Sequence, residues 1–180
     1  MLVEQVTLSD GLITLKSLTL NDAYALHEML SDVKLTESAG LPLHTHVHQT
    51  MDFILEGNEG VKSYQQYFYG IFVNRNLVGL INLFNVDYVK SDGEFGYFIG
   101  SEYQRNGYMR RAIKLLSDFV LEQTNLKAIN IYIDTSNQAS LRLAHRLNLK
   151  AGSESIETDQ ANRTIQMVKY VIDDKSQSDL

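Results

Sequence analysis

The chain contains no cysteine and a single proline, Pro42. Without cysteine there is no disulfide, no thiolate nucleophile and no cysteine-ligated zinc site. Any catalysis must therefore use oxygen and nitrogen groups, or pass a group directly between two bound molecules. The scarcity of proline, with no repeat and no Gly-rich linker, leaves no internal boundary. Residues 1–180 are expected to form one domain, ending in a polar tail from Asp173 to Leu180. An excess of positive charge is missing too: 16 Lys and Arg stand against 22 Asp and Glu, a formal net charge of −6. That balance lacks the basic stripe of a nucleic-acid binder. No apolar run approaches the ~18 residues of a membrane span. The first ten residues carry Glu4 and no basic segment ahead of an apolar one, unlike a signal peptide. The expectation is a cytoplasmic protein with no nucleic-acid or membrane partner. What is present, 44% hydrophobic and 21% charged residues, is ordinary for a chain able to bury a core without staples.

Periodicity supplies the elements. Gly11 to Leu18 alternates and predicts a first strand. Asn21 and Asp22 open a helix carrying Tyr24, Leu26, Met29 and Leu30. Val47, Met51, Ile54 and Leu55 recur at helical spacing. The period then changes. Tyr67–Val73 and Leu77–Val86 are β-branched and aromatic, joined by the turn Asn74-Arg75-Asn76. Ser91-Asp92-Gly93 is another turn, and Glu94–Ile99 the next strand. A helix follows Gly107, with Ile113, Leu116, Phe119 and Val120 on its face. Ala128–Ile133 reads as a buried central strand, Ser140–Leu147 as a helix, and two strands lie near Lys150–Ile156 and Thr164–Ile172. The order β-α-α-β-β-β-α-β-α-β-β predicts an α/β fold, a mixed and mostly antiparallel sheet with helices on both faces.

The most informative stretch is Glu94 to Ala112. A strand runs into a polar turn, and the turn runs straight into a helix. Gly107 suits a point where backbone must approach a ligand or adopt positive φ. The free N–H groups at a helix start, with the positive end of the dipole behind them, bind phosphate. Arg105, Arg110 and Arg111 add three cations, and arginine forks suit a diphosphate. The stretch is not a Walker A loop, nor the Gly-x-Gly-x-x-Gly of a dinucleotide fold.

Gln104-Arg105-Asn106-Gly107-Tyr108-Met109 resembles the pyrophosphate loop, Gln/Arg-x-x-Gly-x-Gly/Ala, of the GNAT superfamily of N-acetyltransferases. The preceding Glu-Phe-Gly-Tyr-Phe-Ile resembles the matching strand of its RimJ/RimL-like branch, which includes acetyltransferases of ribosomal-protein N-termini. Met109 stands where the family has Gly or Ala, so its side chain must point away from the pyrophosphate. A second segment, Asn137-Gln138-Ala139-Ser140-Leu141-Arg142, resembles the family's Asn-x-x-Ser-x-Arg. The Leu-Gly-Phe that follows in the family is Leu147-Asn148-Leu149 here. Asn148 preserves the left-handed helix end.

The resemblance implies acetyl-CoA as co-substrate, no metal, and direct transfer to an amine in a ternary complex. It implies that Gln104, Arg105, Asn106, Gly107, Tyr108, Met109 and Arg110 hold the diphosphate. It further implies that Asn137 holds the pantetheine arm and that Ser140 lies near the sulfur. Asn137 and Ser140 are also ordinary helix-capping residues. Glu94 is the candidate base and Ser140 the candidate acid. Backbone N–H groups near Phe98 or Ile99, where the family's strand bulges, are the candidate oxyanion donors. The expected acceptor is a protein N-terminal α-amine. A polyamine or other small amine, an aminoglycoside included, and a non-catalytic CoA-binding sensor are the alternatives. His44, His46 and His48 alternate without an accompanying carboxylate at ligand spacing. They read as a polar loop, or as an edge of the acceptor site, and if Val47 starts a helix His44 and His48 share a face. Pairing of the terminal strands between subunits would give a homodimer.

Overall fold

Runs of β-branched and aromatic residues build one mixed sheet in the computed structural model, which describes residues 1–158 and 163–173. The strands are β1 (Leu8–Ser9), β2 (Thr14–Lys16), β3 (Tyr67–Val73), β4 (Asn76–Asp87), β5 (Asp92–Ile99), β6 (Ala128–Asp134), β7 (Ala151–Thr158) and β8 (Thr164–Asp173). The helices are α1 (Ala23–Leu30), α2 (Val33–Ala39), α3 (Val47–Lys62), α4 (Tyr108–Gln123) and α5 (Gln138–Arg146). Across the sheet the order is β1-β2-β3-β4-β5-β6-β8-β7. Every neighbouring pair is antiparallel except β5 with β6. Residues 174–180 of the expected polar tail lie outside the described residues.

β3 is buried along its whole length because both of its faces are covered. Tyr67, Tyr69, Ile71 and Val73 join the core under α4, with Ile113, Leu116 and Val120. Phe68 and Phe72 face the opposite core, built from Leu26 and Leu30 of α1, Leu35 of α2 and Ile54 of α3. Period two in the strand thus feeds two separate cores, and helices lie on both faces as expected. α3 packs closely at Gly57, where an added Cβ would come within 2.5 Å of the Phe68 ring.

The structure adds two elements to the expected order, β1 and α2. It shortens the first strand from Gly11–Leu18 to Thr14–Lys16 and carries α3 past Leu55 to Lys62. The turn placed at Ser91-Asp92-Gly93 sits earlier. Asp87 accepts from Val89 and Lys90 N–H at 2.9 and 3.0 Å, and β5 already begins at Asp92.

The three alternating histidines separate in a way the helix register does not foresee. His46 and His48 stack, with centroids 5.5 Å apart. His44 is buried. Its Nδ1 lies 2.9 Å from the Thr50 hydroxyl, which His27 Nδ1 meets at 3.1 Å. So His44 belongs to the core contact between α1 and α3, not to a polar loop. Burial, with His27 nearby, pushes its pKa below the usual 6.5. The fold therefore binds fewer protons here than the unfolded chain, and stability is lost as pH falls from about the unfolded value through the folded one. Melting from pH 7.5 down to 5 should show a steeper loss in wild type than in His44→Gln. Equal slopes would remove His44 from the acid sensitivity.

Candidate active site

β5 and β6 are parallel and paired only over Asp92–Glu94 with Ala128–Asn130. Beyond that point β5 stays on β4 as far as Ile99, and β6 stays on β8 as far as Asp134. The two strands diverge, and the gap between them is a wedge. Its closed end is fixed by a hydrogen bond from Asn130 Nδ2 to Asp92 Oδ2 at 3.0 Å. Both strands run toward the open end. Each is followed there by a helix, α4 after β5 and α5 after β6, so two helix N-termini face the same mouth. Parallel strands place ligands in such crevices, outside their carboxyl ends. A cavity of about 490 Å³ occupies the wedge. Phe95–Tyr97 and Tyr132–Asp134 form its strand walls. Thr36–Leu41 closes one side, β7 and β8 the other, and Asn137 and Ser140 stand at the α5 end.

The sheet register decides which backbone groups face this gap. Gly100 N–H donates to Val78 C=O at 2.9 Å, and β5 then pairs with β4 without a register shift from Ile99 to Glu94. Antiparallel pairs alternate, so Phe98, Gly96 and Glu94 turn their N–H groups to β4. Ile99, Tyr97 and Phe95 turn theirs to the wedge. Of the two expected oxyanion donors, Phe98 is therefore spent on the ladder and Ile99 faces the opening. The expected bulge at this place is absent; the β4–β5 irregularity lies between Phe84 and Asp87.

Gly107 caps α4 in the left-handed region, φ 78°, and Arg105 just before it has φ 66°. Gly107, having no side chain, makes no side-chain cap bond to the first turn of the helix. The leading N–H groups are thus available to an anion. Gln104, Arg105, Asn106 and Gly107 are exposed, Tyr108 is half-buried, and Asn106 Nδ2 is spent on the Tyr103 and Gln104 carbonyls at 3.1 and 3.2 Å. Met109 is buried in the core under α4, so its side chain leaves the loop surface clear. Of the expected trio of cations, Arg111 is bound to Asp10 at 2.7 Å, tying α4 to the β1–β2 turn. Arg105, Arg110 and Arg111 are all exposed at the helix start.

Asn137 caps α5, its Oδ1 accepting from Ser140 N–H at 3.0 Å. Its Nδ2 donates across the mouth to Ser38 C=O of α2 at 2.9 Å. Ser140 and the Tyr97 phenol both line the cavity. Sequence reasoning missed Tyr97; its only signal was odd spacing from Glu94 on a strand beside the loop. Glu94 lies on the other face of β5, in line with Gly96 and Phe98, half-buried at the closed end of the wedge. Burial raises its pKa above 4.5. Asn85 opposes this with a hydrogen bond, while Glu157 and Asp92 add to it. After α5, Asn148 has φ 53° and Leu149 is buried. Among the described residues no three His, Asp or Glu side chains are grouped to hold a metal, and no helix is long and apolar enough to cross a membrane.

A wedge between parallel strands with a helix start at its mouth is the place where open α/β sheets commonly receive phosphorylated ligands. The chain belongs to the GNAT acetyltransferases: the family described as "Acetyltransferase (GNAT) domain" matches residues 13–150. It is thereby an acyltransferase. An "Uncharacterized N-acetyltransferase p20" of Bacillus licheniformis is 25% identical over 146 residues, 80% of this chain and 82% of that one. The fold is also that of the Vibrio cholerae spermidine N-acetyltransferase solved with CoA and spermine, with a TM-score of 0.80, 17% identity, and 94% and 99% of the two chains covered. The Vibrio fischeri ribosomal-protein-S5-alanine acetyltransferase gives a TM-score of 0.79 at 18% identity, covering 94% and 97%.

Proposed function

We propose that the chain moves the acetyl group of acetyl-CoA to the N-terminal α-amine of a protein, directly, within a ternary complex. The observation that carries the reading is the divergence of β5 from β6 with the α4 and α5 N-termini at its mouth. In this reading Gly107 and the first turn of α4, with Arg105 and Arg110, take the diphosphate. The pantetheine arm enters the wedge past Asn137, beside backbone that β6 leaves unpaired. Ile99 and Tyr97 N–H groups are the donors available to a developing oxyanion. Glu94 takes the amine proton, directly or through water, and a carboxyl with a raised pKa suits that task. The long wall formed by Thr36–Leu41 suits an extended chain arriving end-on.

A small polyamine is the second reading. Glu37, Asp134 and Glu157 line the cavity against the single cation Arg163 among the described residues, and the spermine complex named above has the same fold. Ribosomal proteins and spermidine offered side by side with labelled acetyl-CoA separate the two. Label on protein N-termini is expected. Label on spermidine alone would replace the first acceptor by the second. Tight acetyl-CoA binding with no labelled product from any amine would favour a CoA-binding sensor.

A further inference from the structure

The two ends of α2 are fastened to the two strands that diverge. At its start, Asp32 Oδ1 accepts from Lys34 and Leu35 N–H at 2.9 and 3.3 Å and caps the helix. The other oxygen of that carboxylate, Oδ2, accepts from the Ser101 hydroxyl at 2.9 Å. Ser101 follows closely on the end of β5 at Ile99. The Ser101 contact first, and Leu35 N–H after it, hold the Asp32 carboxyl below the usual carboxylate range, so the bond is charge-assisted. At the other end, Ser38 C=O is among the last carbonyls of the helix, which find no partner within it. It accepts from Asn137 Nδ2 at 2.9 Å, and Asn137 follows closely on the end of β6 at Asp134. Between these ends Leu35 and Thr36 are buried, Leu35 in the core with Leu26 and Ile54. α2 therefore crosses from the end of one diverging strand to the end of the other, pinned at its middle. From Asp32 to Ser38 a helix rises about 9 Å, at about 1.5 Å per residue. Paired strands lie about 4.8 Å apart, so this span is about two strand spacings. Strands held that far apart leave room for one extended chain between them.

We propose that α2 is a strut that gauges the wedge to the width of a single extended chain, with Asp32 and Ser101 as positioning residues for the arm of acetyl-CoA. The inference rests on the acetyl-transfer reading of the wedge. The arm is a narrow chain with two amide groups. Lying between β5 and β6, it can bond to backbone on either side only at about that spacing. Strands closer together would exclude it, and strands farther apart would leave one side unbonded and let water in. Width matters less to the nucleotide half of the molecule, which the start of α4 holds outside the wedge. The strut itself touches neither half at Asp32 or Ser101; it acts through the strand ends. Asn137 joins strut and arm. Its amide nitrogen carries two hydrogens, so one can stay on Ser38 C=O while the other meets the arm.

The test needs no acceptor. Acetyl-CoA, and 3′-phosphoadenosine 5′-diphosphate as its nucleotide half without the arm, are titrated by calorimetry into wild type, Ser101→Ala, Ser101→Thr and Asp32→Ser. A serine in place of Asp32 still caps the helix but is too short to reach Ser101. Ser101→Ala and Asp32→Ser should each weaken acetyl-CoA by about fivefold, the scale of one lost hydrogen bond, and bind the nucleotide half as wild type does. Ser101→Thr keeps the hydroxyl and should bind both ligands as wild type does. The protein carrying Ser101→Ala and Asp32→Ser together should lose no more than either alone, because the two residues make one contact. Unchanged acetyl-CoA affinity in Ser101→Ala overturns the proposal. Equal weakening for both ligands overturns it too, and leaves the contact a general support of the fold. A wild type that holds the nucleotide half as tightly as acetyl-CoA shows an arm that gains nothing from the wedge, and overturns the strut while sparing the diphosphate site. A wild type that binds neither overturns the acetyl-CoA reading itself, and this inference with it.

Discussion

Gly107→Glu should abolish acetyl-CoA binding, by about 10²-fold or more, while the protein stays folded. A Cβ added at Gly107 meets nothing within 4 Å, so the new side chain enters open space and leaves the core undisturbed. The residue's φ of 78° costs an L-amino acid about 1–2 kcal/mol. A carboxylate at a helix start returns part of that, typically 0.3–1 kcal/mol. The net change in stability is thus small. Binding suffers twice. The new carboxylate can cap the first turn itself, occupying the N–H groups that a diphosphate would use, and it repels the diphosphate's charge. Two charge-assisted hydrogen bonds at about 1.5–3 kcal/mol each, with about 1.4 kcal/mol per factor of ten, give the stated loss. Gly107→Ala is the control: it carries the backbone strain without the charge and should lower the melting temperature while keeping most of the affinity. Calorimetry and thermal melts on the three proteins decide the matter. Wild-type affinity in Gly107→Glu would move the diphosphate away from this helix.

The loop, the strand before it and the α5 cap were legible because each is local. Glu94 to Met109 and Asn137 to Leu149 are short stretches whose conformation follows from a glycine at positive φ, a capping Asn and a left-handed Asn148. The sheet core was legible for a similar reason: β3 is too apolar to be anything but buried. What escaped is of another kind. α2 is only seven residues long, and its apolar Val33 and Leu35 show no helical period; Asp32 and Gly40, which cap its two ends, are its only signal. β1 has two residues and exists because β2 supplies a partner. Arg111 was grouped with Arg105 and Arg110 by sequence adjacency. On a helix adjacent residues diverge, and the structure turns Arg111 to Asp10, about a hundred residues away in the chain. The same holds for Phe98 against Ile99. Neighbouring strand residues look alike in sequence, yet register gives one N–H to β4 and the other to the wedge. The histidine cluster is long-range as well: Thr50 takes His44 from six residues before it, but His27 of α1 reaches the same hydroxyl only once α1 and α3 have docked. Residue types and local turns could be read; their partners across the fold could not.

Glu94→Gln should lower the rate on a working acceptor by about 10²-fold, the range of a lost general base, with acetyl-CoA affinity retained because the diphosphate loop is untouched. The amide keeps the shape and the contact with Asn85 but cannot take a proton. The pH dependence gives the sharper evidence. In wild type the rate should rise with pH through the Glu94 pKa, which burial first, and Glu157 and Asp92 after it, lift above 4.5. The variant should lose that acidic limb, leaving only the deprotonation of the acceptor amine in the profile. Stability should move the other way. A carboxyl whose folded pKa is raised binds a proton more readily in the fold than in the unfolded chain. Its contribution is therefore complete below the unfolded value and is lost as pH rises through the folded one. Wild type carries a half-buried carboxyl whose charged form burial disfavours and the variant does not, so Glu94→Gln should melt no lower than wild type at pH 7.5. A protein gaining or holding stability while losing rate marks a group kept for chemistry against its own burial cost. A variant that keeps both the rate and the acidic limb would take Glu94 out of the mechanism and pass the proton to water or to another carboxylate of the wedge, with Glu157 the next to test.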